Sequence, residues 1–321
     1  MYKNSGMIKG KDILTLLELS PQEIELILNL ADKLKMEAVK GIYKPLLANR
    51  TLCMIFQKPS TRTRVSFEVG MFELGGYTIT LTPSEMQLSR GETIEDTART
   101  LSRYVNILAA RVFNHNDVVR LAEAATIPVI NALSDKWHPC QILADLQTIR
   151  EVKGRLKGLK LAWVGDGNNV CNTLLIGCAK MGINMVVAHP PGYDPLKEAL
   201  NEAYKCAEES GAKIDTTHDP KVAVKDADIV VTDTFISMGK EEEREERMKV
   251  FLPNYQVNTR LMSLAKPDAV FMHCLPAKRG EEVTDEVIDG PKSIVWEEAE
   301  NRKHTEKALL CLLLLDEKAL F

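Results

Sequence analysis

Short runs in which nearly every position is apolar alternate along this chain with longer stretches whose apolar residues recur at helical spacing. Ser20-Pro21-Gln22-Glu23 is a capping box with proline at the first helical position, and it predicts a helix over about 21–39. RTLCMIF (50–56) reads as a buried strand, followed by a helix from about 61 that Gly75-Gly76 ends. The alternation continues with a helix at TIEDTARTLSRY, a strand at NILAARV (106–112) and a helix at NDVVRLAEAA. A strand at IPVIN and a longer helix over about 138–152 complete this half.

KGRLKG (153–158) has the composition of a linker, and after it the pattern starts again. LKLAWVG, INMVVAH, DIVVTD (228–233) and AVFMH (269–273) read as strands. Helices are predicted over about 170–181, from Asp194-Pro195 onward, and over about 299–319, while the charges of KEEEREERMK (240–249) suggest a solvated helix or loop. Strand–helix alternation in both halves predicts an α/β protein of two doubly wound parallel-sheet domains, each sheet covered on both faces. The boundary expected at the linker gives domains at 1–152 and 153–298.

In open parallel sheets the ligand site lies off the carboxyl ends of the strands. The unusual polar clusters all follow such ends: KPSTRTR after 50–56, Arg111, GDGNN after 159–164, TDTFISMG and HCLP. Together they predict one cleft between two domains. Composition narrows its chemistry. A chain of 321 residues with a net charge of −4 has no general affinity for nucleic acid or anionic membrane, so a positive site must be local. The seven cysteines form no C-x-x-C pair and sit mostly in apolar stretches, which suits a reducing compartment and excludes a zinc ribbon. The amino terminus lacks the apolar region of a secretory signal, and the longest apolar run, ALLCLLLL, is too short for a membrane span, so a cytoplasmic location is expected.

Ser60 is placed as an N-cap, where the free N–H groups and dipole of the first turn make an anion site. Arg62 and Arg64 with the hydroxyls of Thr61 and Thr63 add donors suited to phosphate oxygens. The plainer alternative is a surface helix whose arginines pair with Glu68 or Glu73. WHPCQ could aim the His138 imidazole and the Gln141 amide at a carbonyl oxygen, or hold a histidine satisfied within the core. Asp233 reads equally as an N-cap and Cys274 as a small buried hydrophobe. His273 and Cys274, adjacent in a strand, are expected to face opposite ways and to be poor joint zinc ligands. VGDGNN lacks the third glycine of a dinucleotide fingerprint.

STRTR, Gln87 within SEMQLSRGE, the Arg111 strand, HPCQ, VGDGNN, DTFISMG, HCLP and AENR occur in the order and approximate spacing of the carbamoyltransferases, which this chain resembles over nearly its whole length. The last four motifs are similar to the ornithine branch. The resemblance implies two α/β domains joined by interdomain helices, with the C-terminal helix (about 299–321) packing back on a carbamoyl phosphate domain, and ornithine held by the other. It implies a trimer and neither metal nor organic cofactor.

Residue by residue, the resemblance assigns Ser60, Thr61, Arg62, Thr63 and Arg111 to the phosphate. His138, Gln141 and Arg302 are assigned to the carbamoyl group, and Cys274 and Leu275 lie between the substrates. Asn169, Asp233, Ser237 and Met238 are assigned to ornithine, and Gln87 to a neighbouring subunit's site. One departure is Val170-Cys171-Asn172-Thr173, where the family commonly has an apolar pair and then His-Ser. The expected activity is transfer of a carbamoyl group to the δ-amine of ornithine, with Arg62, His138, Asp233 and Cys274 at the chemistry. Putrescine or aspartate as acceptor, or an oxidoreductase built on GDGNN, are the alternatives.

Overall fold

The computed structural model describes residues 8–321 except Met238, and at Ser89 only the backbone. Two compact units emerge, one comprising residues up to Gln147 together with Glu300–Phe321, the other Thr148–Ala299. Each is built on its own parallel sheet.

The first unit opens with α1 (Pro21–Val39), where Ser20 and Glu23 cap each other's backbone N–H groups as the capping box requires. Then follow β1 (Thr51–Phe56), α2 (Thr61–Glu73), β2 (Tyr77–Leu81), α3 (Ile94–Leu101), β3 (Ile107–Arg111), α4 (His115–Ala124), β4 (Val129–Leu133) and α5 (Pro139–Lys153). The strands lie in the order β2-β1-β3-β4, and every residue of β3 is buried, as a strand covered on both faces demands. The order reverses between β1 and β3, so the loops after these two strands diverge and leave a crevice. The register sets Phe56 beside Arg111, which places the start of PSTRTR and that arginine at the same crevice.

The second unit contains β5 (Lys160–Val164), α6 (Asn169–Met181), β6 (Asn184–Ala188), α7 (Lys197–Ser210), β7 (Ile214–Thr217), α8 (Pro220–Val224) and β8 (Ile229–Thr232). It continues with α9 (Arg244–Phe251), α10 (Thr259–Met262), β9 (Val270–His273), α11 (Asp285–Ile288) and the first residues of α12 (Val295–Leu314), which from Glu300 onward belongs to the first unit. Its sheet order, β7-β6-β5-β8-β9, reverses between β5 and β8. GDGNN follows the first of these strands and TDTFIS the second, so this unit too carries its polar motifs at the switch point. The division between units falls inside α5 and inside α12, upstream of the KGRLKG loop in the first case.

Several expectations need correction. The helix expected from Asp194-Pro195 starts at Lys197. Those two residues instead lie against Gly167, where a Cβ would sit 2.2 Å from the Pro195 nitrogen, and only glycine fits. The last helix begins earlier, at Val295, and stops at Leu314, because the polar stretch after it supports only a short 3₁₀ turn at Glu317–Ala319. KEEEREERMK is not wholly solvated, since Arg247 is buried. Among the described residues, no helix is long and apolar enough to cross a membrane.

Candidate active site

In the first unit the chemistry gathers at the starts of α2 and α5. Ser60 caps α2, its Oγ accepting from the Thr63 N–H at 3.3 Å, as its place in the sequence predicts. Arg302 of α12 links the two helix starts. Its Nη1 donates to Gln141 Oε1 at 2.8 Å, and its Nη2 donates to Thr63 Oγ1 at 3.3 Å. Gln141 Nε2 in turn donates to Asp145 Oδ1 at 2.9 Å, which fixes which end of the amide faces Arg302. Arg111 is buried at the end of β3. Arg64 does not join this group; it pairs with Glu68 on the exposed side of α2 at 2.9 Å, as the plainer alternative had it.

His138 immediately precedes α5 and is buried among these cations. Burial first, then the charges of Arg302, Arg111 and Arg62, push its pKa well below the ordinary 6.5, so it is a neutral imidazole able to donate without adding charge. His304 on α12 is likewise held down to about 3, by burial and then by Lys303, Lys307 and Lys35.

A stability prediction follows from the sign of these shifts. Above 6.5 both histidines are neutral folded or unfolded, and they contribute no pH dependence. Below it the unfolded chain takes up protons that the folded chain refuses, so stability falls with pH, by about 2 kcal/mol at pH 5 for His304 and in the same direction for His138. Urea midpoints at pH 7.5 and 5.0 measure the fall. His304→Gln should remove part of it; an unchanged slope would place that dependence on other groups.

In the second unit the Thr232–His273 register brings the residues after β8 and β9 side by side. Asp233 is held there by three donors: Cys274 Sγ at 3.2 Å and Thr234 N–H at 2.8 Å to Oδ1, and Asn168 Nδ2 at 2.7 Å to Oδ2. It is no N-cap. Asn168 is, since its Oδ1 accepts from the N–H groups of Val170 and Cys171 while its amide nitrogen grips Asp233. Asn169 is the first residue of α6, and Ser237 lies half-buried in the loop after β8.

His273 and Cys274 do not diverge as strand alternation predicts. β9 ends at His273, and Leu275 takes a left-handed φ of 58°, so the ligand atoms of Asp233, His273 and Cys274 lie within 4.8 Å of one another. The Leu275 N–H donates to His273 Nδ1 at 2.9 Å, which leaves the ring proton on Nε2, facing Glu282 Oε1 at 3.1 Å. Both ring nitrogens and both Asp233 oxygens are thus engaged by protein groups.

Arg247 supports this side from below. Its Nη1 donates to Asp166 Oδ2 at 2.8 Å and to the Phe235 carbonyl at 3.0 Å, and its Nε donates to Glu243 at 2.7 Å. It thereby ties the turn after β5 to the loop after β8. Asn172 holds the fold as well, its Oδ1 accepting from the Leu196 N–H at 2.9 Å and so anchoring the segment packed on Gly167. Gln87 stands on an exposed 3₁₀ turn of the first unit (Gln87–Arg90), whose neighbours Met86 and Leu88 pack into the core. Met238 lies outside the described residues.

Residues 11–151 match the aspartate/ornithine carbamoyltransferase family through its carbamoyl-P binding domain, and residues 157–313 match it through its Asp/Orn binding domain. The chain belongs to the aspartate/ornithine carbamoyltransferase family. Ornithine carbamoyltransferase of Carboxydothermus hydrogenoformans is 57% identical over 306 residues, covering 95% of this chain and 98% of that protein. The anabolic ornithine carbamoyltransferase of Pyrococcus furiosus is 54% identical over 307 residues, covering 96% and 97%. The solved structure of ornithine carbamoyltransferase from Pyrococcus furiosus superposes with a TM-score of 0.93 at 55% identity, covering 95% of this chain and 97% of that one. That of Gloeobacter violaceus gives 0.86 at 44%, covering 96% and 99%.

Within this carbamoyltransferase chain, sequence reasoning passed over Asn168, Asp145, Arg247 and Glu282. Asp145 was findable, because it stands one helical turn after Gln141. Asn168 was overshadowed by its neighbour Asn169. Arg247 pairs locally with Glu243, but its link to Asp166 spans 81 residues and gave no local signal, and Glu282 reaches His273 from beyond the turn that follows β9.

Proposed function

We propose that this carbamoyltransferase moves the carbamoyl group of carbamoyl phosphate to the δ-amine of L-ornithine, giving L-citrulline and phosphate. The observation that carries the acceptor is the Asp233–Cys274–Asn168 group: a carboxylate held by three uncharged donors, one of them a thiol, suits an alkylammonium better than a second carboxylate such as that of aspartate.

Residues 1–152 with the C-terminal helix bind carbamoyl phosphate, and 153–298 bind ornithine. Ser60, Thr61, Arg62, Thr63 and Arg111 take the phosphate. His138, Gln141 and Arg302 take the carbamoyl oxygen and amide, and Cys274 and Leu275 also bind carbamoyl phosphate. Asn169, Asp233, Ser237 and Met238 take the amino acid. Asp233 draws in the δ-ammonium, and loss of one proton to the Asp233–Cys274 pair frees the nitrogen lone pair. That nitrogen bonds to the carbamoyl carbon, negative charge gathers on the carbamoyl oxygen opposite Arg62, His138 and Arg302, and the carbon–oxygen bond to phosphate then breaks. Phosphate leaves with the bonding electrons and takes the second proton of the attacking nitrogen, departing as hydrogen phosphate. A competition assay among ornithine, putrescine and aspartate tests the acceptor: ornithine should be carbamoylated at least about a hundredfold faster, and equal use of putrescine would overturn the assignment.

The enzyme works in the cytoplasm, in arginine biosynthesis, as a trimer whose sites are shared. Support for assembly comes from the apolar side chains left uncovered on the first unit. Phe72 is 79% exposed and Tyr104 76%, with Val65, Val69, Tyr77 and Ile79 exposed on α2 and the edge strand β2. If Gln87 completes a neighbour's phosphate pocket, Arg62→Ala and Gln87→Ala are each inactive alone. Refolded together in equal amounts, they regain about 25% of sites with both residues intact in a closed ring. Mixed trimers no more active than the separate mutants would refute sharing.

A further inference from the structure

Glu306 is a buried carboxylate that the proposed reaction does not use. It lies one helical turn after Arg302, is 1% exposed, and accepts through Oε1 from Arg302 Nε at 3.1 Å and Nη2 at 2.7 Å. A guanidinium has five N–H hydrogens. With Glu306 taking two, Thr63 one and Gln141 one, a single Nη1 hydrogen is left for a substrate oxygen.

The charge balance points the same way. Arg62, Arg111 and Arg302 all act on His138, so three guanidiniums share one pocket. Asp145 and Glu306 are the carboxylates that act on Arg302. Burial outweighs the pull of Arg302 and raises the Glu306 carboxyl, while the two hydrogen bonds from the Arg302 guanidinium favour its charged form. Binding strength shared equally by substrate, transition state and product does not speed the chemical step, and a pocket too strongly positive holds the phosphate it has just produced.

We propose that Glu306 is a positioning residue that orients Arg302 and offsets part of the pocket's positive charge, so that phosphate is released after transfer. The inference rests on reading this pocket as the phosphate site. Its signature is the sign of the effect. A residue that only holds Arg302 in place would, on removal, weaken dianion binding and raise KM for carbamoyl phosphate. Glu306→Gln, which keeps the acceptor oxygen and the volume, should do the opposite.

The test compares inhibition by sulfate, a dianion throughout the neutral range, and by phosphate in wild type, Glu306→Gln and Glu306→Asp. In Glu306→Gln both inhibition constants should fall about tenfold, for one unit of charge removed near a dianion, with a lower KM for carbamoyl phosphate and no gain in kcat. Glu306→Asp keeps the charge and should bind sulfate no tighter than wild type. Glu306→Met removes the charge and the acceptor oxygen together, so it should bind sulfate more weakly than Glu306→Gln, the difference measuring the orienting part of the role. Sulfate inhibition unchanged or weaker in Glu306→Gln, with wild type inhibited competitively against carbamoyl phosphate, would overturn the role of Glu306 alone. Wild type insensitive to both anions would overturn the phosphate site itself.

Discussion

Arg62→Ala should lower citrulline formation by about a thousandfold, the largest loss expected from any single change in the first unit. Arg62 lies in the first turn of α2 behind the Ser60 cap, and its charge reaches His138, the imidazole proposed to face the carbamoyl oxygen. One guanidinium in that position serves both the leaving group and the developing oxyanion. Arg62→Lys should recover little, because an ammonium offers a point charge where two oxygens need a fork. Steady-state kinetics on protein shown folded by circular dichroism measures the loss. Turnover near wild type in either variant would remove Arg62 from the mechanism.

Asp233→Asn should cost at least as much, through the other substrate. The wild-type carboxylate accepts from Asn168, Thr234 and Cys274, and it has no donor of its own. An asparagine at this position turns one oxygen into an NH2 group that faces either the Asn168 amide or the Cys274 thiol, donor against donor, and removes the charge that attracts the δ-ammonium. Carbamoyl phosphate binding should stay within about twofold of wild type, because the residues proposed for the phosphate, and His138, Gln141 and Arg302, all belong to the first unit. Calorimetry separates the outcomes. Loss of carbamoyl phosphate affinity together with activity would make Asp233 a structural residue of the whole fold.

What the sequence disclosed follows the range of the interactions. The α1 cap, the Ser60 cap and the run of buried strands are local or periodic features, and each is where the pattern put it. β7 escaped notice because it is a polar edge strand whose only fully buried residue is Ile214. α12 starts about one turn before the expected 299, with Glu297 and Glu298 in its first turn, where acidic side chains complement the helix dipole. At the candidate site, residue types were legible and their directions were not. Strand alternation cannot anticipate that β9 ends at His273 and that a left-handed Leu275 folds the chain back, which sets Cys274 against Asp233. Arg247 sat inside an acidic run, and nothing local indicated that its partners would be Asp166 and the Phe235 carbonyl. Glu306 was visible as the residue one turn beyond Arg302, yet only burial reveals that it must be paired.

The central claim is the reaction itself, and the bond it makes is directly observable. Carbamoyl phosphate labelled with 13C in the carbamoyl group, incubated with L-ornithine labelled with 15N at the δ position, should give citrulline in which the two labels are directly coupled by NMR, with one phosphate released for each citrulline formed. Phosphate released without that coupled product, or the carbamoyl carbon found on another amine when ornithine is present, would contradict the account.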